Sequence, residues 1–169
     1  GVVDDNDRDI IGNPNPDFTY GFQTKVSWKS LSLSASFNGV QGRDILNVGN
    51  RYNNTPGTKS NNVTRKAFQN MWTDENPSNL YPKSTFVVQN MVMDRYVEDG
   101  SYLRCSDITL SYVLPAKWTN KIGIKNTSVY ASVKNAFVIT DYSGYDPEVN
   151  SFAFDGLRPG VDMSSYPTP

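Results

Sequence analysis

The sequence predicts an all-β, antiparallel fold that forms part of the wall of a transmembrane β-barrel. Three observations carry this expectation. Runs of residues alternate apolar and polar side chains with the period of a strand. Each run matches the roughly 9–11 residues that a tilted strand needs to cross a bilayer. The connections between runs alternate short and long, as in bacterial outer-membrane barrels, whose periplasmic turns are short and whose outer loops are long.

The first strand is expected at 17–29. Phe18, Tyr20, Phe22, Thr24, Val26 and Trp28 lie on one side, and Thr19, Gly21, Gln23, Lys25 and Ser27 on the other. Lys29 and Ser30 make a tight hairpin turn. The second strand, 31–39, resumes in the opposite parity, setting Leu31, Leu33, Ala35 and Phe37 against Ser32, Ser34, Ser36 and Asn38. The long connection 40–100 follows. It holds one expected helix, Asn62–Trp72, in which Phe68 with Trp72, and Ala67 with Met71, share a face. Glu75-Asn-Pro-Ser78 then signals a turn.

The third strand, 101–114, sets Ile108, Leu110, Tyr112 and Leu114 against Asp107, Thr109, Ser111 and Val113. Pro115 has no amide proton for the ladder and ends it. The fourth strand, 127–139, carries Val129, Ala131, Val133, Phe137 and Ile139 on one face. Ser128, Tyr130, Ser132 and Lys134 lie on the other, and Asn135 interrupts the apolar row. The segment 140–169 returns to no clear strand. With the first and third strands running inward, 1–16, 40–100 and 140–169 become extracellular loops. Phe18, Tyr20, Phe37 and Phe137 then fall near the outer interface, and Trp28 and Tyr112 near the periplasmic one, where such rings suit the headgroup layer. The polar faces are mostly Ser, Thr, Gly, Gln and Asn, with Lys25, Asp107 and Lys134 as the charges that face the lumen.

Composition agrees. There are 10 Tyr and 8 Phe, while Ala and Leu are sparse, so strand and turn formers dominate. Lys and Arg number 16 against 17 Asp and Glu, a net charge of −1, so no basic field points to nucleic acid. Mean hydropathy is −0.53 and no stretch approaches the roughly 20 apolar residues of a membrane helix, which leaves a barrel open because its strands alternate. There is no histidine, which removes the commonest general base and metal ligand and argues against an enzyme. The single cysteine, Cys105, cannot form an internal disulfide and reads as a structural thiol, buried or facing lipid.

Six phrases stand in order along the chain. They are Ile11-Gly-Asn-Pro-Asn-Pro-Asp-Phe-Thr-Tyr-Gly-Phe22, Trp72-Thr-Asp-Glu-Asn-Pro-Ser78 and Val97-Glu-Asp-Gly-Ser-Tyr-Leu-Arg104. Ile108-Thr-Leu-Ser-Tyr-Val-Leu-Pro115, Lys134-Asn-Ala-Phe137 and Tyr142-Ser-Gly-Tyr-Asp-Pro-Glu-Val149 complete the set. In this order and spacing the chain resembles the C-terminal barrel part of the SusC/RagA family of TonB-linked outer-membrane transporters of Bacteroidetes. The resemblance implies a barrel of about 22 strands around a plug. It implies a SusD-like surface lipoprotein as lid and import of glycans or peptides across the bacterial outer membrane, driven through TonB. It also implies that plug, TonB box and last strand lie outside this stretch, so that the remaining barrel, the plug and outer-membrane lipid are its partners.

Candidate contacts follow from the last loop. Tyr142, Tyr145, Phe152 and Phe154 crowd there with Asp146 and Glu148, an aromatic and acidic set that suits sugar rings or a lid protein; Tyr166 belongs to the same crowd. Packing of the loop against itself is the favoured explanation for most of these aromatics. Asp146 with Glu148, or Glu98 with Asp99, could be read as a glycosidase carboxylate pair, but proximity in sequence alone makes many such pairs. Asp5, Asp7 and Asp9 have the spacing of a calcium loop, yet Ile10 replaces the glycine and no Glu closes it; a solvated acidic loop is the expectation, and no cofactor. The competing class is a carbohydrate-binding β-sandwich, which would need the 40–100 connection to hold strands of its own.

Overall fold

The computed structural model describes residues 7–55, 62–84, 92–124 and 126–164. In chain order the strands are β1 (Phe18–Trp28), β2 (Leu31–Gln41), β3 (Asp44–Asn47), β4 (Val97–Asp99), β5 (Tyr102–Val113), β6 (Ser128–Thr140) and β7 (Val161–Asp162). The helices are α1 (Val48–Asn54), α2 (Arg65–Asn70) and α3 (Ala116–Thr119). Residues Pro16–Gly42 and Ser101–Asp141 make a sheet unit; the described parts of Gly1–Asn15, Arg43–Gly100 and Tyr142–Thr168 make a loop unit.

The sheet unit is one antiparallel sheet in the order β1-β2-β5-β6. Its first hairpin reverses between Trp28 and Leu31, with Lys29 at φ 54, a left-handed conformation that lets two residues turn the chain. Alternation dictates the register. Phe22, Phe37 and Phe137 lie in one row with Cys105, and the rings of Phe22 and Phe37 stack at 4.6 Å. Cys105 is buried beneath that row. The opposite face is a ladder of hydroxyls, with Ser27 and Ser32 Oγ atoms 2.9 Å apart.

Two irregularities keep the faces pure. Ile108, Leu110 and Tyr112 occupy even positions and Cys105 an odd one, yet all four pair with the apolar residues of β2, and Leu103 follows opposite Gly39. Ser106 is the extra residue that makes this work: Ser36 pairs Asp107 and Phe37 pairs Cys105, and the Ser106 hydroxyl donates to the Asn38 side chain. On β6 the register passes from Lys134 opposite Asp107 to Phe137 opposite Cys105. Asn135, the interruption in the sequence pattern, sits in that bulge at φ 49.

The apolar face is bare. Val26 is 63% and Val133 57% exposed, and Phe22, Leu33, Leu110 and Ile139 are exposed too. A sandwich would cover this face with a second sheet of comparable length. Among the described residues the second sheet, β4-β3-β7, has strands of only 3, 4 and 2 residues.

That small sheet corrects the expectation of a loop region with one helix. β3 pairs antiparallel with β4 and parallel with β7. Strands this short show no alternation in sequence, which is why periodicity passes over them. The unit packs around Ile45, fully buried beneath Gly100, where an added Cβ would lie 2.6 Å from Ile45 Cδ1. α2 also differs from the expected Asn62–Trp72. Thr64 starts it, its Oγ1 accepting from Ala67 N at 3.1 Å, and Met71 ends it in extended backbone, bridged to Tyr81. The buried face is Ala67; Phe68 is exposed.

Candidate functional site

The polar face of the sheet brings two of the three expected lumen charges together. Asp107 on β5 pairs with Lys134 on β6, and Lys25 on β1 lies one rung away, in line with Ser34, Thr109 and Ser132. Thr109 Oγ1 donates to Asp107 Oδ1 and Ser132 Oγ donates to Asp107 Oδ2, each at 2.8 Å. A carboxylate so held is fixed in place rather than mobile, and its hydroxyl partners come from the alternation that defines the strands.

In the loop unit, Glu98 projects from β4 into a knot of polar groups. Its Oε1 accepts from Asn47 Nδ2 at 3.1 Å, Asn50 Nδ2 at 2.8 Å and Ser143 Oγ at 2.9 Å, and its Oε2 accepts from the Ser143 backbone N–H at 2.9 Å. Asn47 uses its other end to cap α1, Oδ1 accepting from Asn50 N at 2.8 Å. Tyr142 donates to Asp162 Oδ2 at 2.6 Å, and both are buried. Burial first, and the adjoining carboxylate second, raise the Tyr142 phenol far above its ordinary range.

The six expected contact residues separate. Tyr142 and Asp146 are buried. Asp146 Oδ1 accepts from Glu148 N at 2.9 Å, closing the turn through the buried Pro147. Tyr145 is 75% and Phe154 86% exposed, Glu148 is exposed, and Phe152 is half-buried, set edge-on to Phe154 at 6.1 Å. Asp5 and Tyr166 lie outside the described residues. Neither carboxylate pair fits glycoside hydrolysis. Asp146 is spent on its own turn, and Glu98 and Asp99, successive on a strand, point to opposite faces. Among the described residues no three His, Cys, Asp or Glu side chains converge as a metal site.

Sequence reasoning missed the polar knot and the cavity beside it. That cavity, about 450 Å³, is lined by Asn53, Lys66, Tyr81 and Tyr145 along with Asn47 and Ser143. A signal existed: four asparagines at 47, 50, 53 and 54 within eight residues.

No protein-family model matches the chain. It is 32% identical over all its length to TonB-dependent receptor P26 of Formosa agariphila, and 34% identical over 99% of its length to TonB-dependent receptor P3 of the same organism. It is 32% identical over 99% of its length to TonB-dependent receptor SusC of Bacteroides thetaiotaomicron. The chain spans 17%, 17% and 15% of these curated relatives. Among solved structures it matches the RagAB peptide importer in its closed-closed state with a TM-score of 0.74 at 28% identity, over 94% of this chain and 16% of that one. It matches the RagAB peptide transporter with a TM-score of 0.77 at 28% identity, over 94% of this chain and 17% of that one. The ordered phrases, the sheet with one bare apolar face and these full-length likenesses lead to one placement: the chain belongs to the SusC/RagA family of TonB-dependent receptors, as a stretch of their β-barrel.

Proposed function

We propose that this stretch supplies part of the wall and outer mouth of a TonB-dependent importer that carries oligosaccharides or peptides across the bacterial outer membrane. It is not an enzyme in this reading. The observation that carries the proposal is the sheet itself. Its strands of 11–13 residues are long enough to cross hydrocarbon, one face is bare and apolar, and the other is a ladder of small hydroxyls. The open outer sides of β1 and β6 need neighbouring strands, since unpaired backbone groups in lipid cost several kcal/mol each.

Lys25, Asp107 and Lys134 then face the water-filled lumen. At the outer mouth the exposed Tyr145 and Phe154 are contacts for cargo or for a SusD-like lipoprotein lid. Relatives named RagAB support a two-component import machine.

The test is made on the full-length receptor. It should require detergent for extraction, run as a heat-modifiable band, and support uptake of a fluorescent oligosaccharide or peptide that a proton ionophore stops. Release into the soluble fraction without detergent would remove the reading.

A further inference from the structure

The groove in the loop unit is lined by three cations. The cavity beside α1 shares Asn50, Asn54, Lys66 and Tyr81 with a second one, and that one shares Tyr81, Pro82 and Arg95 with a third. Lys66, Arg95 and Lys83 line the three. The acid that lines them, Asp162, is buried and bonded to Tyr142. Lys83 sits 3.7 Å from the exposed Asp74, whereas Lys66 and Arg95 have no carboxylate partner among the described residues. The same lining holds the rings of Tyr145 and Tyr81, Trp72 with Lys83 Nζ over its ring at 5.0 Å, and the Asn53 amide.

From this we infer that the groove binds an acidic oligosaccharide, a chain of sugars bearing carboxylate or sulfate groups. The inference rests on the importer reading and names its cargo class. Aromatic faces stack on the C–H side of sugar rings, amides bond hydroxyls, and Lys66 and Arg95 meet the acid groups. An acidic peptide would meet the same charge but would want a strand edge or apolar side-chain pockets. This groove offers amides and tyrosines instead.

The experiment uses the full-length receptor in detergent, titrated calorimetrically with tetragalacturonate, maltotetraose and tetraglutamate. Tetragalacturonate should bind tightest, and more weakly as salt rises. Lys66→Gln or Arg95→Gln should each weaken it about fivefold, the scale of an exposed ion pair. Tyr145→Ala should weaken tetragalacturonate and leave tetraglutamate unchanged. Equal binding of maltotetraose, a preference for tetraglutamate, or variants indistinguishable from the parent would each overturn the inference. Heat-modifiable mobility of every variant shows that the barrel is intact. An intact barrel with no acidic-sugar preference sinks the inference alone, and a receptor that needs no detergent sinks the importer reading with it.

Discussion

Gly39 shows how tightly a residue of the sheet can be specified. An added Cβ there would run into the ring of Tyr20 and lie 2.6 Å from the Tyr102 carbonyl oxygen. The Tyr20 hydroxyl donates to that same oxygen at 3.3 Å, so the ring covers the glycine and ties β1 to β5 across β2. Gly39→Val should displace the ring and cost about 1–3 kcal/mol, the usual price of overpacking. Tyr20→Phe should cost about 1 kcal/mol at most. Urea unfolding of the receptor in lipid vesicles measures both, and the double variant should lose less than the sum because the two share one contact. Tyr142 makes the corresponding case in the loops. Tyr142→Phe removes a donor from the buried Asp162 and should destabilise the loop unit by about 1.5–3 kcal/mol. The native fold raises this phenol, so it holds its proton more tightly than the unfolded chain does. Its contribution is therefore constant below the ordinary tyrosine range near about 10 and falls as pH rises beyond it. Hydrogen exchange of the loop amides between neutral pH and about pH 11 should show protection fading at the alkaline end in the parent and fading less in the phenylalanine variant.

At the scale of elements, the bulges decide which face each side chain meets. Asn135 adopts φ 49, a conformation in which β-branched residues are strained. Asn135→Gly should fold as well as the parent. Asn135→Val should cost about 1–3 kcal/mol, seen as a lower folded fraction by heat-modifiable mobility. This position also marks the limit of reading the sequence. Strands of 11–13 residues announce themselves, because five or six alternations outweigh any local exception. The break at Asn135 was visible as a flaw, and its cause, a bulge opposite Ser106, needed the neighbouring strand. Ser106 was not visible, since no residue type signals a parity change in β5. The short β3, β4 and β7 were invisible for a different reason: their pairings join residues far apart in sequence, as when Leu46 meets Val97 and Val161. The site divides the same way. Parity alone places the charges Lys25, Asp107 and Lys134 on one face. The aromatic crowd of the last loop was visible but not sorted, because only the fold tells the buried Tyr142 from the exposed Tyr145.

For the whole molecule the question is what touches each face of the four-stranded sheet. Val133 lies near the middle of β6, 57% exposed, in a rung with Ile108 and Ala35. Gln23 lies at a similar height on the opposite face of β1, in line with Ser36 and Asp107. A soluble sheet with both faces wet would treat arginine at these two positions alike, or would prefer it at the bare Val133. A bilayer treats them oppositely. Val133→Arg drives a guanidinium into hydrocarbon and should cost about 2–4 kcal/mol, as at a barrel midplane. Gln23→Arg puts the same group in a wet lumen, beside Ser36 and one strand short of Asp107, and should change stability by less than about 1 kcal/mol. Reversible urea unfolding of the full-length receptor in vesicles gives both values. The difference between them is the informative quantity, because both variants place the same side chain near the middle of an outermost strand, on opposite faces of the sheet. A Val133→Arg penalty no larger than that of Gln23→Arg would mean that the apolar face never meets lipid, and the membrane-spanning assignment would fall with it.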